Sequence, residues 1–335
     1  MKIKVLALLS KSNLPSARLR ILDMVSELSS HNIKMDAKGF AKGVSRIFQI
    51  LTLPKYDLLI IQKKTSLNRL ELFLIKKLAN KIIYDFDDAT MFHELEHAKP
   101  LSGKNFIKFL NTINIANAVV AGNDYLGSFC KSNVENVYKF PTPVDTLKYY
   151  PLEKSNRKIV TLGWVGVPGS MIHLQRLLPV LQEISKKFTF ELIVISKKNL
   201  VCKGLEIRNI EWRLDKENEY LNTIDIGLMP LDDSIWTNGK GGYKLIQYAA
   251  VGIPSVGSAI GINKEIIIHQ KTGYLANSLE EWSTYLELLI SNNSLRKKLG
   301  DAARLHIVKK YSLKAYAKNY AIAVKNTIRG QYSPK

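Results

Sequence analysis

The sequence is poor in cysteine, in acidic residues and in long hydrophobic runs. Its two cysteines, Cys130 and Cys202, lie far apart and lack the spacing of a metal site, so neither a disulfide framework nor a zinc centre is indicated. A reducing, cytoplasmic location fits this content. No uninterrupted apolar stretch approaches the roughly 20 residues that span a bilayer, and the apolar run at 5–9 is too short for a secretory signal. Any membrane association is therefore expected to be peripheral.

Acidic residues are outnumbered by basic ones. The 335 residues include 49 lysines and arginines against 29 aspartates and glutamates, which gives a formal net charge of +20. Such an excess favours an anionic partner, namely a nucleic acid, an acidic lipid surface or a phosphorylated substrate. The six histidines are scattered, and none is assigned a catalytic role.

Apolar, strand-like runs alternate with helical stretches along the whole chain. This alternation is typical of parallel sheets covered on both faces by helices, and it predicts an α/β fold of two doubly wound domains. A proline-rich segment at 140–151 and the charged run at 153–158 predict the boundary between them. We therefore predict domains at 1–150 and 151–312, followed by a last helix at 313–330. A ligand is expected in the cleft at the carboxyl ends of the strands. Strands are predicted at 3–10, 56–62, 81–89, 117–123, 158–166, 190–196, 205–212, 223–231 and 253–259.

The stretch from Trp236 to Pro254 joins a glycine-rich loop to a helix. A helix N-terminus offers unpaired N–H groups and a partial positive charge, and glycines let an anion approach the backbone. Lys240 lies in the loop and Lys244 about one helical turn later, so both ammonium groups can face the same anion. The stretch predicts a phosphate-binding site, although a helix start with surface lysines would give the same pattern. The loop glycines are Gly239, Gly241 and Gly242.

Two arginines lie in the first turns of a helix that is predicted after Pro15. The helix dipole disfavours basic residues there, so Arg18 and Arg20 either meet an anion or lie on an ordinary surface. We predict that they bind an acceptor.

Two basic, amphipathic stretches occupy residues 35–55 and 99–115. Such segments can lie on an anionic membrane, where a well-placed basic residue contributes on the order of 1 kcal/mol. The alternative is an ordinary surface helix whose apolar face packs on the core.

At this point the chain resembles the retaining glycosyltransferases of family 4, which have the GT-B fold of two facing Rossmann-like domains. The most specific block is 225–276, DIGLMPLDDSIWTNGKGGYKLIQYAAVGIPSVGSAIGINKEIIIHQKTGYLA, and shorter blocks are 163–170, 82–89, 118–126 and 141–145. The resemblance implies transfer of a sugar from a nucleotide-diphosphate sugar, with no metal or other cofactor, to a lipid-linked or saccharide acceptor. It further implies bacterial cell-surface polysaccharide or lipopolysaccharide synthesis at the cytoplasmic face of the inner membrane. The first domain would bind the acceptor and the second the donor, and the last helix would cross back to the first domain.

The sequence departs from the family's usual pair of glutamates around this helix start. The second glutamate, which holds the nucleotide ribose, falls on Gln247, and the first, which contacts the donor sugar, falls on Gly239. The family's usual Arg and Lys pair is missing from 163–170, so Lys240 and Lys244 look like substitutes that neutralise the donor diphosphate. The chain thus looks like a subgroup with a GK...K..QY motif.

Further donor contacts follow from the same resemblance. Gly166, Gly169 and Ser170 are predicted to form a second anion-binding loop. Glu265 resembles the family's acidic residue on the donor side. Trp236 and Asn238 are predicted to line the sugar or base pocket, although a buried tryptophan is equally ordinary.

The string at residues 85–88, DFDD, has the look of a metal-binding Asp-x-Asp motif. It ends a strand of the first domain, whereas the donor nucleotide is expected in the second, so no metal site is predicted. Asp87 and Asp88 are interpreted as catalytic residues near the acceptor or donor sugar hydroxyls, together with Lys240 and Lys244; a loop-capping role is the alternative for the two aspartates.

Three other functions stay open. A nucleotide-sugar 2-epimerase has the same fold but needs acidic and histidine groups for proton removal. A nucleic-acid-binding protein would explain the positive charge and predicts steeply salt-dependent binding. An inactive enzyme would explain the missing glutamates.

Overall fold

Two parallel sheets organise residues 2–92, 103–153 and 159–331, which are the residues that this computed structural model describes. The strands of the first sheet are β1 (Ile3–Leu9), β2 (Ile33–Gly39), β3 (Leu58–Gln62), β4 (Ile82–Phe86), β5 (Ala118–Ala121) and β6 (Asn136–Lys139). The strands of the second are β7 (Val160–Val165), β8 (Phe190–Ile195), β9 (Ile207–Ile210), β10 (Ile226–Met229), β11 (Ser255–Ser258) and β12 (Gly273–Ala276).

The strand order is β2-β1-β3-β4-β5-β6 in the first sheet and β12-β11-β10-β7-β8-β9 in the second. All of these neighbours pair in parallel. Both orders change direction in the middle, as in doubly wound sheets. The predicted fold class is therefore confirmed.

Helices connect the strands and flank both sheets. They are α1 (Pro15–Ala17), α2 (Val25–Ser29), α3 (Val44–Leu51), α4 (Arg69–Leu78), α5 (Lys104–Ile113), α6 (Asp124–Ser128), α7 (Met171–Ser185), α8 (Glu217–Leu221), α9 (Ile235–Asn238), α10 (Tyr243–Ala250), α11 (Asn263–Ile266), α12 (Leu279–Ser291), α13 (Asn293–Lys310) and α14 (Leu313–Arg329). A π-helical turn at Arg18–Leu22 continues α1. No helix of the described ranges is both long enough and apolar enough to cross a membrane.

The chain forms two compact units. The first comprises Met1–Pro143, Asn238–Gly241 and Leu313–Lys335, and the second comprises Val144–Thr237 and Gly242–Ser312. The first unit thus contains the first sheet, a short loop from the glycine-rich stretch and α14. The second contains the second sheet and α7 to α13, apart from the last residue of α9, whereas α1 to α6 belong to the first unit.

The core of the first unit joins strands from the middle of its sheet to α14. Val5, Ile60 and Val120 are fully buried in the same cluster as Tyr320 and Val324 of α14. Strands that are buried on both faces explain the nearly continuous apolar runs in the sequence.

The core of the second unit is shaped by a tyrosine that lies over glycine. A Cβ atom on Gly227 would lie 2.3 Å from the ring of Tyr248, so only glycine leaves room for this side chain. The Tyr248 hydroxyl accepts a hydrogen bond from the Val165 N–H (3.1 Å) and donates to the Gly163 carbonyl (3.2 Å). These contacts fix α10, which carries Tyr248, against the carboxyl end of β7.

The two basic, amphipathic stretches have different structures. Residues 35–55 contain the end of β2 and all of α3. The described part of the second stretch, 103–115, contains α5, whose Phe109 and Ile113 are fully buried. Residues 99–102 of that stretch, and all but the first residue of the charged run at 153–158, lie outside the described residues.

Candidate functional site

Polar residues follow the central strands of the first sheet at their carboxyl ends. Lys63 follows β3, Asp87 and Asp88 follow β4, and Asn123 lies two residues after β5. Because all strands of the sheet are parallel, these positions lie together along one edge of it, the edge formed by the carboxyl ends of the strands. This is the edge at which open α/β sheets bind ligands.

Lys63 pairs with both aspartates of this edge. Its Nζ lies 3.0 Å from Asp87 Oδ1 and 2.5 Å from Asp88 Oδ2. The side chains of Lys63 and Asp87 are each 12 % exposed, whereas that of Asp88 is 46 % exposed. Asp88 is therefore the carboxylate of this pair that a ligand can reach.

Burial and the charges of neighbouring groups shift the pKa values of Lys63, Asp87 and Asp88. Burial alone would lower the pKa of Lys63, but the carboxylates of Asp87 and Asp88 raise it well above its usual range. Burial would raise the pKa of Asp87, but Lys63 and Arg20 hold it below its usual range. Burial and the charge of Asp87 raise the pKa of Asp88. The arrangement thus favours one firmly ionised carboxylate beside one that takes up a proton more easily.

Arg20 lies beneath this edge and has no exposed surface. Its Nε and Nη2 donate to the two oxygens of Asp85 at 2.9 and 2.8 Å, and its Nη1 donates to the Phe140 carbonyl at 2.7 Å. Thr142 Oγ1 lies 3.4 Å from Arg20 Nη1 and donates to Asp87 Oδ2 at 3.4 Å. Arg20 therefore contacts the interior of the first unit, and its contacts suit a positioning role. Its predicted contact with an acceptor, like that of the partly exposed Arg18, stays a prediction.

The loop Asn238–Gly241 passes close to the turn that follows β4. A Cβ atom on Gly239 would lie 2.6 Å from the Cβ of Ala89, so a side chain at this position is excluded in the observed conformation. Asn123 Nδ2 donates to the carbonyls of Asn238 (3.1 Å) and Lys240 (3.2 Å). These contacts hold Lys240 in the first unit, where its charge lowers the pKa of Asp88 against the larger opposing effects.

Helix α10 of the second unit begins at a left-handed residue. Gly242 has φ +62°, and Lys244 follows in the first turn of the helix. The Nζ of Lys244 lies 4.9 Å from the centre of the Trp164 ring, which is a cation–π contact. The helix ends before Gly252, whose φ of +73° agrees with the predicted terminator.

The helix start changes one step of the sequence argument. Because α10 begins at Tyr243, Lys240 is not on the helix, and the spacing of helical neighbours does not relate it to Lys244. Lys240 belongs to the first unit and Lys244 to the second. That both face one anion stays a prediction.

Gln247 lies one turn further along α10 and is 3 % exposed. Its Nε2 is buried and has no hydrogen-bond partner among the described residues. An unpartnered buried amide is costly, on the order of 1–3 kcal/mol, unless a ligand accepts its hydrogen bond.

The predicted second anion-binding loop follows β7. A Cβ atom on Gly166 would lie 2.5 Å from the Trp164 ring, whereas one on Gly169 would meet nothing within 4 Å. The Gly166 N–H donates to the Ile195 carbonyl at 3.0 Å, and the Ser170 hydroxyl donates to the Val167 carbonyl at 2.9 Å. The loop is therefore bonded to its own unit, and Gly169 is its open position.

Two other predicted donor contacts lie in the second unit. Trp236 is partly exposed in α9, and Glu265 is partly exposed in α11. The Glu265 carbonyl accepts a hydrogen bond from the Tyr311 hydroxyl at 3.4 Å.

A cluster of one histidine, one aspartate and one arginine in the second unit was not predicted from sequence. His173 Nδ1 lies 2.6 Å from Asp232 Oδ1, and Arg176 Nη1 lies 3.1 Å from the same oxygen. Burial opposes the shift, but the Asp232 N–H, His173 and Arg176 hold the pKa of Asp232 below its usual range. The available signal was that Asp232 comes shortly after a predicted strand and His173 opens a predicted helix after another. Lys63, Asn123 and Thr142 were also missed; Lys63 and Asn123 lie at the end of a predicted strand, whereas Thr142 comes after β6, which was not predicted.

In the described ranges, no group of three or more histidine, cysteine, aspartate or glutamate side chains is placed to hold a metal ion. The carboxylates of the DFDD string are instead bound by Arg20 and Lys63.

Comparison with known proteins supports an enzyme of one class. Residues 210–306 match the family described as glycosyl transferases group 1. A search of curated proteins finds no match to the chain.

Three solved structures share the fold over nearly the whole chain. Anabaena Alr3699/HepE in complex with UDP and glucose has a TM-score of 0.68 at 12 % identity, covering 97 % of this chain and 100 % of that one. Sucrose-phosphate synthase from Thermosynechococcus elongatus has a TM-score of 0.69 at 10 % identity, covering 98 % and 100 %. The apo form of the lipopolysaccharide outer core galactosyltransferase WaaB has a TM-score of 0.63 at 13 % identity, covering 97 % and 99 %.

The family match includes α10 and the glycine-rich stretch before it, and similarity at these low identities shows a shared fold. The family match confirms the prediction of a glycosyltransferase, the shared fold agrees with it, and neither the epimerase nor the nucleic-acid-binding alternative is favoured. Residues 210–306 form a glycosyl transferases group 1 domain, in a chain that has the two-domain GT-B fold.

Proposed function

We propose that the chain is a retaining glycosyltransferase of family 4 that uses a nucleotide-diphosphate sugar. The second unit would bind the donor, and the first would bind a lipid-linked or saccharide acceptor. The proposed pathway is bacterial cell-surface polysaccharide or lipopolysaccharide synthesis at the cytoplasmic face of the inner membrane. One of the similar structures is a lipopolysaccharide galactosyltransferase, which supports this choice of pathway.

The observation that carries the proposal is the start of α10, inside the matched family domain. Gly242 turns the chain into the helix, Lys244 adds a positive charge to the first turn, and Gln247 holds a buried amide N–H that lacks a partner among the described residues. A nucleoside diphosphate offers what these groups need. Its phosphates suit the helix N-terminus and the lysine, and its ribose oxygens can accept from the Gln247 amide.

In the proposed reaction, the bond between the sugar C1 and the diphosphate oxygen breaks, and a new bond joins C1 to the acceptor oxygen on the same face. The acceptor's proton passes to the departing diphosphate. The electron pair of the broken bond stays on the diphosphate oxygen, so negative charge develops there before the proton arrives, and we assign its stabilisation to Lys240 and Lys244. No metal cofactor is required in this proposal, because protein cations supply the positive charge.

The two aspartates of the first unit are assigned to sugar hydroxyls. Asp88 is the more exposed, so we propose that it contacts the donor sugar or acceptor directly. Asp87 is held by Lys63 and Thr142, and we propose that it fixes the position of Lys63 and, through it, of Asp88.

Thermal-shift measurements with a panel of nucleoside diphosphates and their sugars test the donor site. The panel includes UDP and UDP-glucose, because Alr3699/HepE was crystallised with UDP and with UDP-glucose. We expect one nucleoside diphosphate to raise the melting temperature of the wild type. Lys244→Ala should weaken this stabilisation, since the helix start loses its cation. Lys297→Ala, on the exposed face of α13, is the matched control and should keep it.

The outcomes separate the candidate functions. If no nucleotide raises the melting temperature of the wild type or of Lys297→Ala, the proposed donor site is refuted. If the protein converts a nucleotide sugar to a different one with no acceptor present, it is an epimerase. Proton NMR of the transferred sugar reports the configuration at C1, and an inverted product would refute the retaining reaction.

A further inference from the structure

Two neighbouring helices of the first unit expose their apolar side chains. In α3, Val44, Phe48 and Leu51 are 73 %, 65 % and 53 % exposed, and in α4, Leu70 and Phe73 are 59 % and 60 % exposed. The spacings of four and three residues place the members of each set on one side of their helix. We name these five side chains the α3–α4 face. Several large apolar side chains exposed on neighbouring helices mark an interaction site more often than singly scattered ones do.

The α3–α4 face is held in place by internal contacts. Arg46 of α3 pairs with Glu71 of α4 at 2.8 Å, and both side chains are largely buried. Arg46 Nε also donates to the Ala41 carbonyl at 2.8 Å, and α4 begins with a capping box between Asn68 and Glu71. The apolar side chains therefore project from helices that are fixed to one another, not from a loose segment.

The charge around this face is strongly positive. Residues 38–81 contain ten lysines and arginines, of which Arg46 and Lys63 are paired internally, against two acidic residues, Asp57 and Glu71. Both acidic residues are used internally, since Glu71 binds Arg46 and Asp57 accepts from the Lys4 N–H at 2.7 Å. The exposed cations nearest in sequence to the face are Lys42, Arg69, Lys76 and Lys77.

The basic cluster continues beside the helices. Lys64 lies over the Phe40 ring, with Nζ 5.9 Å from its centre. Burial and the positive charges of Arg46 and Lys11 lower the pKa of Lys64. Burial is the main cause of this lowering, the carboxylate of Glu71 opposes it, and the nearby cations Arg46 and Lys11 add to it.

The other basic stretch of the first unit provides a contrast. Helix α5 buries Phe109 and Ile113 completely, and Phe106 packs against Phe92 with ring centres 6.1 Å apart. Its large apolar side chains thus serve the core, and Ile107 is the exposed exception at 51 %. Of the two basic, amphipathic stretches, the one that contains α5 packs its apolar side chains on the core, whereas the one that contains α3 exposes them.

We propose that the α3–α4 face docks the protein on an anionic lipid surface. The five apolar side chains would enter the boundary between headgroups and acyl chains, and the flanking lysines and arginines would contact anionic headgroups. A second copy of this chain fits less well, because it would place one positive surface against another. A nucleic acid also fits less well, because its bases stack on aromatic side chains and its phosphates bind cations, so the aliphatic side chains of the face would lack a partner.

This inference deepens the proposed function, because it names the surface by which a membrane-bound acceptor would be reached. Its failure is distinguishable from failure of the donor site, since nucleotide binding and vesicle binding are measured separately.

Vesicle binding by the full chain tests the proposal. The protein is floated with vesicles of phosphatidylcholine alone or of phosphatidylcholine mixed with phosphatidylglycerol. We expect binding to the mixed vesicles and little binding to the neutral ones. Replacing Phe48 and Phe73 together by serine should lower the partition constant about tenfold or more. The matched control replaces Val201 and Leu305 of the second unit by serine; these are 87 % and 73 % exposed, and binding should not change.

A second set of variants tests the charge. Lys42→Gln, Lys76→Gln and Lys77→Gln should each lower the partition constant about fivefold, because a basic residue near an anionic surface contributes on the order of 1 kcal/mol. Lys297→Gln and Lys298→Gln, on exposed positions of α13, are the controls.

Several results would overturn the proposal. One is equal loss of binding in the α3–α4 variants and in their controls. Another is equal binding to neutral and anionic vesicles. A dimer in solution that dissociates in the Phe48→Ser, Phe73→Ser variant would assign the face to a second copy. Salt-sensitive binding of RNA or DNA that is lost in the same variant, without vesicle binding, would assign it to nucleic acid.

Discussion

Arg20 and Asp85 form a two-pronged ion pair in which neither side chain has any exposed surface. The pair lies under the edge of the first sheet that carries Asp87, and the Tyr320 hydroxyl of α14 also contacts Asp85 at 3.4 Å. It thereby connects the helix after β1, the end of β4 and α14. Removing one partner would leave a buried charge without compensation.

We predict that Arg20→Met lowers the free energy of unfolding of the first unit by about 3–5 kcal/mol. Adding Asp85→Asn to this variant should recover part of the loss, because the uncompensated carboxylate is then removed. Urea unfolding followed by circular dichroism measures both effects. A single variant as stable as the wild type would show that the pair does not hold these elements together.

Lys63 lies between two carboxylates, and this makes the effect of its removal depend on pH. The pKa of Asp87 is lowered in the folded state, so its stabilisation is present above the unfolded value of about 3.9 and is lost as the pH falls through the folded pKa. In Lys63→Gln the buried Asp87 loses its main cation, and burial then favours the protonated form. We therefore predict that the variant is far less stable than the wild type at pH 7, and that the difference narrows toward pH 4.

A matched control for this substitution is Lys139→Gln. Lys139 pairs with Asp124 at 2.6 Å, but both side chains are well exposed, so the loss should stay within about 1 kcal/mol at every pH. Urea unfolding of both variants between pH 4 and 7 gives the comparison. A gap between Lys63→Gln and the wild type that does not change with pH would contradict the assigned ion pairs.

Gly239 lies where the loop passes closest to the turn after β4. We predict that Gly239→Ala displaces the loop, because its Cβ would lie 2.6 Å from the Ala89 Cβ and 3.2 Å from the Ala89 nitrogen. The cost should be on the order of 1–3 kcal/mol, and trypsin should cleave after Lys240 faster. Gly241→Ala is the control, since its Cβ would meet nothing closer than 3.7 Å. Equal proteolysis of the two variants would refute the tight approach.

The sequence was sufficient to predict the alternation of strands and helices, but it did not reveal three of the four edge strands of the two described sheets. Three strands were missed, β2, β6 and β12, and all three are edge strands. An edge strand has one neighbour and more contact with water, so its sequence need not be a continuous apolar run. The sequence of β2, IKMDAKG, includes three charged residues, and β6 and β12 have four residues each.

The sequence predicted where the site residues lie along the chain better than it predicted which side chains they pair with. Asp87 and Asp88 follow a strand that is evident in the sequence, and so does Lys63. The pairing of Lys63 with both carboxylates depends on side-chain directions and on the order of β3 and β4 in the sheet, which no local pattern contains. The burial of Arg20 was missed for the same reason, because its partner Asp85 lies 65 residues away. The helix start at Gly242 depends on a left-handed backbone conformation that other glycines of the same loop could equally have adopted.

We predict that His306 makes the free energy of unfolding of the second unit decrease as the pH falls from 7 to 5. Burial and the nearby charge of Lys310 lower its pKa, although the Glu265 carbonyl opposes them. Its Nε2 is buried without a hydrogen-bond partner among the described residues, so a proton there would be poorly accommodated. Because the folded pKa is below the unfolded value of about 6.5, its stabilisation is complete above that pH and is lost as the pH falls, by at most about 1.4 kcal/mol per pH unit. His306→Gln should remove this part of the slope between pH 7 and pH 5 while leaving the trend from the carboxylates. If urea unfolding of the variant and of the wild type changes with pH in parallel, His306 is not the group that senses the acid.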